Sequence, residues 1–287
     1  MLRASSMTER VHQLGVAVAG AGHSGSTLLG LVLGSHSSAF YAGEAKKTIY
    51  IGDVKKPLRK RVCKICGPEC VVWSRFEVPP EPDLYEHLAR LTERSVIIDS
   101  TKRPAWIQER RAELDAVGVP HRIIFLTRDG RAVVNSRVRK YPERPPAEVV
   151  DHWLGQIGAA RELVEERPEH ALEIRYEDLA TRPEETVRRV CAFLELPFEA
   201  PMLDYEKQTH HPLGGNTGTQ SLVARAASID SELAKVPKRS ADYYGPMRGG
   251  FSIDLRWREE LPAEVLRVFE ERVGDLNDRY RWEDSES

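Results

Sequence analysis

Gly20-Ala21-Gly22-His23-Ser24-Gly25-Ser26-Thr27 is the stretch on which the reading of this chain turns. It has the spacing of a phosphate-binding loop, with Ser26 where a nucleoside-triphosphate site carries lysine. Such a loop cradles phosphates with backbone N–H groups, and its lysine neutralises charge between the β and γ groups. Without that lysine, hydrolysis of ATP or GTP is not expected. What remains is a strand, a glycine turn and a helix N-terminus, whose oriented donors and positive dipole end hold a 5′-phosphate. The flanks agree: residues 14–19 are an apolar, valine-bearing run of strand length, and residues 27–33 continue as a buried helix would. The alternative is an ordinary Gly/Ser turn.

Bulk properties confine the anion site to one place. The 42 basic and 44 acidic residues give a formal net charge of -2, so no overall field draws nucleic acid or an anionic membrane. At 287 residues the chain buries a core without staples, and we read a single domain with a mobile N-terminus over residues 1–12. No segment approaches the ~18 consecutive apolar residues of a membrane span, and the N-terminus lacks a signal peptide's apolar region. A cytoplasmic enzyme is expected.

Three of the four cysteines, Cys63, Cys66 and Cys70, fall within eight residues. Cys63-x-x-Cys66-Gly67 resembles a zinc knuckle, but a structural zinc site wants four ligands. Cys191 lies in a helical apolar stretch that reads as core. The candidate fourth ligand is His87 or a carboxylate, and the alternative is a reduced or partly disulfide-linked surface loop.

Further strand-like runs occupy residues 40–43, 95–99, 122–127 and 171–176, with helical patterns over 131–139, 146–166 and 183–194. Alternating strands and helices predict an open α/β sheet, which binds ligands beyond the carboxyl ends of its strands. Polar loops gather there: residues 20–26, Asp99-Ser100-Thr101-Lys102 and Thr127-Arg128-Asp129-Gly130. Three polar loops on one rim predict one pocket. Arg128 supplies a planar fork for phosphate and Ser136, two helical turns later, a rotatable hydroxyl, so the pair suits a second phosphate. Residues 217–246 read as a lid or insertion, helical only around 229–235. Residues 261–280 return to helical spacing with Val265, Phe269, Val273 and Leu276 on one face.

The two loops resemble the 5′- and 3′-phosphate signatures of sulfotransferases that use 3′-phosphoadenosine 5′-phosphosulfate (PAPS). The similarity extends in order through Asp99-Ser100-Thr101-Lys102, Arg175-Tyr176-Glu177-Asp178-Leu179 with Pro183, Gly214-Gly215-Asn216 and Ile253-Asp254-Leu255-Arg256-Trp257-Arg258. It implies a P-loop-type three-layer α/β fold with a central, mostly parallel sheet flanked by helices. It implies that Gly22, His23, Ser24, Gly25, Ser26 and Thr27 hold the 5′-phosphosulfate while Arg128 and Ser136 hold the 3′-phosphate. Arg248-Gly249 resembles the loop that closes over that 3′-phosphate.

A sulfuryl group carries less charge than a phosphoryl group, so neither the missing lysine nor Mg²⁺ has the same task, and no Mg²⁺ requirement is expected. Gly43-Glu44 resembles the catalytic carboxylate of tyrosylprotein and several bacterial sulfotransferases, which makes Glu44 the base and predicts that burial raises its pKa. Lys102 resembles the lysine that stabilises the sulfuryl and bridging oxygens. His23 stands where most relatives carry Arg or Lys, and we assign it to the leaving phosphate. Segments 46–75 and 217–246 are expected to shape the acceptor side. The acceptor hydroxyl stays open among sugar, lipid, tyrosine and small metabolite, and the oligomeric state stays open too. A P-loop kinase of a small metabolite, with Asp99 as its metal-site aspartate, and a non-catalytic nucleotide-binding protein are the alternatives.

Overall fold

Short apolar runs rich in Val, Ile and Phe bury both faces when helices cover them, and here they form one parallel sheet. The computed structural model describes residues 9–77 and 83–283. Its strands are β1 (Leu14–Ala19), β2 (Ala39–Gly43), β3 (Val96–Asp99), β4 (His121–Thr127) and β5 (Ala171–Arg175), in the order β2-β3-β1-β4-β5. All four pairings are parallel, with Val16 opposite Ile98 on one side and Arg122 on the other.

The helices are α1 (Ser26–Leu33), α2 (Leu58–Arg61), α3 (Leu84–Thr92), α4 (Pro104–Ala116), α5 (Gly130–Lys140), α6 (Pro146–Glu165), α7 (Tyr176–Thr181), α8 (Pro183–Phe193), α9 (Thr217–Ala226), α10 (Ala241–Tyr244), α11 (Trp257–Glu260) and α12 (Ala263–Val273). Because β1 lies between β3 and β4, the crossovers leave it in opposite directions and open a crevice beyond its carboxyl end. Residues 20–25 occupy that crevice.

Local chemistry starts the helices where they are needed. Asp129, two residues past β4, accepts from the Arg131 N–H (2.9 Å), capping α5; Pro146 supplies a fixed φ at the first turn of α6. Trp153 of α6 and Phe269 of α12 pack with centroids 5.4 Å apart, and Tyr280 completes this second core on the outer side of the sheet.

Several expectations need correction. Leu276 is 38% exposed: α12 ends at Val273, Gly274 follows at φ 52°, and the buried role falls to Tyr280. Helix α9 covers residues 217–226, before the weakly helical stretch we expected, because Asn216 caps it by accepting from the Thr219 N–H (3.0 Å). Around 232–234 there is only a short 3-10 turn. Tyr176 opens α7 rather than ending β5. Of the lead-in, residues 1–8 lie outside the described residues, and Val11 and His12 are held by hydrogen bonds. Their N–H groups donate to Glu86 (3.2 and 2.9 Å), and the His12 side chain is fully buried.

The end of β2 is clamped by a chain segment far away in sequence. Leu213 donates to the Ala42 carbonyl (2.9 Å) and accepts from the Glu44 N–H (2.7 Å). Gly43 sits at φ 79°, and a Cβ there would lie 2.2 Å from the Leu213 oxygen. Gly43→Ala is expected to cost about 2–4 kcal/mol, strain plus backbone clash. Gly52→Ala, at φ 81° with nothing within 4 Å, is expected to cost about 1 kcal/mol. Urea unfolding of both variants checks the difference, and equal costs would mean that the Leu213 contact carries no stability.

Candidate active site

The phosphate loop is built by close approach. Gly20 turns at φ 130°, where a Cβ would lie 2.3 Å from the Leu126 carbonyl oxygen, so β1 and β4 meet behind the loop. Gly25 sits at φ 92° against the Tyr176 ring, 2.6 Å from where a Cβ would stand. The loop therefore delivers the first turn of α1, Ser26 and Thr27, to the cleft with its N–H groups leading. The Ser24 hydroxyl is buried and has no partner among the described residues. A buried hydroxyl in that state suits an incoming anion. Gly22 donates to Oε1 of Gln156 on α6 (2.9 Å), a support that no local pattern announces.

Arg128, at the end of β4, joins the two phosphate signatures physically. Its side chain is 6% exposed; Nη1 donates to the His23 carbonyl (3.1 Å), Nη2 to the Asp254 carbonyl (2.9 Å), and the guanidinium lies 4.3 Å from the Tyr176 ring centre. Nη2 also pairs with the Asp254 carboxylate at 3.4 Å. Ser136 Oγ lies 3.0 Å from His23 Nδ1, so the serine of one predicted subsite touches the histidine of the other. Lys140 lies four residues beyond Ser136 on the same face of α5 and also lines the cleft. That i,i+4 spacing is a signal our reading did not use. Arg256, which in the sequence is only one member of the 253–258 motif, grips Asp254 through Nε and Nη2 (2.8 and 2.9 Å).

Across the cleft, Glu44 follows β2. Its Oε2 pairs with Lys47 Nζ (2.8 Å) and its Oε1 accepts from the Gly215 N–H (3.2 Å). Burial pushes its pKa up, but Lys47, Lys102 and the Gly215 N–H outweigh that and hold it below the ordinary carboxylate value. The expected upward shift is therefore corrected: clustered ammonium groups dominate over desolvation. Lys102 Nζ donates to the Ser100 carbonyl (3.1 Å), and burial lowers its pKa against the pull of Glu44 and Asp99. Asp99 itself is fully engaged. It accepts from the Ala45 and Thr101 N–H groups (3.0 and 2.7 Å), the Tyr85 hydroxyl (3.0 Å) and the Trp106 indole (2.7 Å).

These groups line one cleft of about 470 Å³. Gly22, His23, Gly25, Ser26, Thr27, Glu44, Lys102, Arg128 and Ser136 all border it, while Ser24 is buried and outside the lining. Lys46, Lys47, Lys102, Arg103, Arg128, Lys140 and Arg256 face two carboxylates, Glu44 and Asp254. Local excess cation thus supplies what the net charge of the chain does not.

Arg248 is a correction: it is exposed and turned onto the carbonyls of Gly245, Pro246 and Met247 (3.0–3.3 Å), and Gly249 packs on Glu206, so Gly250 and Arg256 border the cleft instead. Cys63, Cys66 and Cys70 stand outside the cleft lining and converge with His211. His87, the suggested fourth member, packs edge-on against Phe76. Cys191 is core, with Sγ against Met202.

Burial, reinforced by Lys140, Arg137, Lys102 and Arg128, lowers the His23 pKa to about 3. Burial likewise takes His12 and His121 to about 4. All three folded values lie below the unfolded 6.5, so the unfolded chain takes up protons first as pH falls. The stability they confer is whole above about pH 6.5 and drains away towards about pH 4. Thermal unfolding across that range is expected to show a steadily falling Tm, less steep in His121→Gln. A Tm unchanged down to about pH 5 would contradict these burials.

The comparisons with known proteins bear on this geometry. The Sulfotransferase family model matches residues 81–200, and no curated protein matches the chain. A sulfotransferase domain from the curacin biosynthetic pathway superposes with a TM-score of 0.57 at 19% identity, covering 96% of this chain and 100% of that one. The sulfotransferase domain of the Synechococcus PCC 7002 olefin synthase gives 0.48 at 17% identity, with 94% and 98% covered. Mouse sulfotransferase SULT7A1, solved with PAP, gives 0.49 at 12% identity, with 95% and 89% covered. The curacin-pathway domain carries the fold comparison: a three-layer α/β fold around a parallel sheet. Among the described residues no helix is long and apolar enough to cross a membrane. Over residues 81–200 the chain is similar to the sulfotransferase family, and it has the fold of the curacin-pathway sulfotransferase domain.

Proposed function

We propose that the chain transfers a sulfuryl group from PAPS to an acceptor hydroxyl by in-line attack. The observation that carries this reading is one cleft in which the first turn of α1, the Arg128–Ser136 pair and the Glu44–Lys102 pair face each other. In the reaction the acceptor oxygen forms a bond to sulfur as the bond from sulfur to the bridging phosphate oxygen breaks. The hydroxyl proton passes to the Glu44 carboxylate, and the departing electron pair stays on the 5′-phosphate of 3′-phosphoadenosine 5′-phosphate (PAP). Lys47 and Lys102 keep Glu44 ionised and so able to accept that proton at neutral pH. Lys102 and the α1 N–H groups stabilise charge on the sulfuryl and leaving oxygens.

His23 is neutral in the free protein, and a bound dianion raises its pKa by supplying the counter-charge its surroundings lack. It then donates to the leaving phosphate. Arg128 and Ser136 take the 3′-phosphate, with Lys140 and Arg256 adding charge. Lys46 and Tyr50 from segment 46–75, and Ser240, Tyr243 and Tyr244 from segment 217–246, border the same cleft and form the acceptor side.

A kinase reading fits less well. It needs the loop lysine and a metal-site aspartate with free lone pairs, whereas Ser26 replaces the first and Asp99 already accepts four hydrogen bonds. No Mg²⁺ requirement is therefore proposed.

Thermal unfolding with added nucleotide separates the readings. PAP at 100 times its dissociation constant is expected to stabilise the chain by about 2.7 kcal/mol, with ATP and Mg²⁺ giving far less. Preference for ATP would assign a kinase, and a PAP response without donor turnover across an acceptor panel would leave a binding protein.

Glu44→Gln is expected to lower kcat by about 10²–10⁴ while keeping the PAP response, because the amide fills the same space but takes no proton. His23→Ala is expected to lower turnover at saturating donor. Full turnover in either variant, measured by PAP release, would remove that residue from the mechanism.

A further inference from the structure

Cys63, Cys66, Cys70 and His211 come from segments about 140 residues apart in sequence, yet their four ligand atoms all lie within 4.8 Å of one another. Nδ1 of His211 is 3.2 Å from Cys66 Sγ and 3.3 Å from Cys70 Sγ. A tetrahedral zinc with Zn–S near 2.3 Å and Zn–N near 2.0–2.1 Å places its sulfurs about 3.8 Å apart and its sulfur and nitrogen about 3.6 Å apart. The cluster is already at that scale.

The backbone has the form such a site requires. Gly67 turns at φ 78°, its N–H donates to the Cys63 carbonyl (2.9 Å), and the Cys66 N–H points at Cys63 Sγ (3.5 Å). This is the outer hydrogen bonding that holds a ligating thiolate. Trp73 Nε1 donates to the His211 carbonyl and fixes the fourth residue. Cys63 and Cys70 are fully buried. A disulfide would employ two of these sulfurs and leave the third cysteine and the histidine without a reason to converge. Four protein ligands also close the coordination sphere, which is the pattern of a structural ion rather than a catalytic one.

We propose that Cys63, Cys66, Cys70 and His211 bind one zinc ion that ties the cysteine loop to the chain segment beside Glu44. The tie reaches the cleft within a few residues. Leu213, two after His211, bridges both Cys63 and Gly43. Gly215 donates to Glu44, Asn216 N–H donates to Thr27 Oγ1 (2.8 Å), and Lys64 Nζ donates to the Gly215 carbonyl (2.8 Å). The zinc is thus a positioning element for the carboxylate and the phosphate loop, and its existence does not depend on which group the enzyme transfers.

The test uses the full chain purified under reducing conditions without chelator. Elemental analysis is expected to give about one zinc per chain, and cobalt exchanged into the site is expected to show thiolate charge-transfer bands with the intense visible absorption of tetrahedral geometry. His211→Ala is expected to fall below about a tenth of an equivalent, whereas His211→Cys, which keeps four soft ligands, and Cys191→Ser, which lies in the core, are expected to retain the metal. Should His211→Ala fail to fold, the cobalt spectrum of the unaltered chain decides by itself. Failure of that chain to bind zinc or cobalt after refolding with the metal and reductant would overturn the proposal. An octahedral cobalt spectrum would do the same. So would mass spectrometry showing a disulfide among Cys63, Cys66 and Cys70 in the reduced preparation.

Discussion

A buried guanidinium at the end of β4 is the constraint around which the cleft is organised. A charge taken out of water costs several kcal/mol unless partners replace its hydration. Arg128 finds them in the His23 and Asp254 carbonyls, the Asp254 carboxylate and the face of Tyr176. Each partner belongs to a different segment: the phosphate loop, the stretch before α11 and the start of α7. Satisfying one side chain therefore fixes three pieces of backbone against one another. The Asp254 carboxylate, held well below its usual pKa by Arg256 and Arg128 despite burial, is a firm anion in that arrangement.

The opposite wall follows a different logic. There the backbone of Leu213 extends the edge of β2, and Glu44 is held between ammonium groups and the Gly215 N–H. Its lowered pKa follows from the excess of cations that lines the cleft. Field and carboxylate are one arrangement, since lysines that attract anions also ionise a carboxylate among them. His23 shows the converse: burial first, and then Lys140, Arg137, Lys102 and Arg128, suppress its charge.

How far the sequence could be read depends on how local each feature is. Residues 14–19 match β1 because a strand buried on both faces is apolar at every position and needs no context to be recognised. Helix α9 was missed because Gly218, Thr219, Gln220 and Ser221 make up its buried side along with Leu222 and Val223, so the periodic apolar signal is faint. Leu276 was misplaced because helical spacing continues in the sequence past Val273 while Gly274 ends the helix. Among the candidate site residues, Arg128 and Glu44 directly follow strands and Ser26 opens α1 after the glycine turn, places that the sequence itself marks. Gln156, Asp254 and Lys140 reach the cleft from elsewhere.

By itself the sequence determined an α/β sheet with polar loops at its strand ends, a glycine loop with phosphate-loop spacing but no lysine, and a cluster of three cysteines, because each is encoded within a few consecutive residues. Only the tertiary structure decided what those pieces meet. It turned Arg248 away and brought Arg256 in, lowered Glu44 where burial alone would have raised it, and placed His211 rather than His87 among the cysteines. The physical reason is the same in each case. Charge, hydration and ligand geometry depend on neighbours in space, and those neighbours come from segments whose separation along the chain carries no local signature.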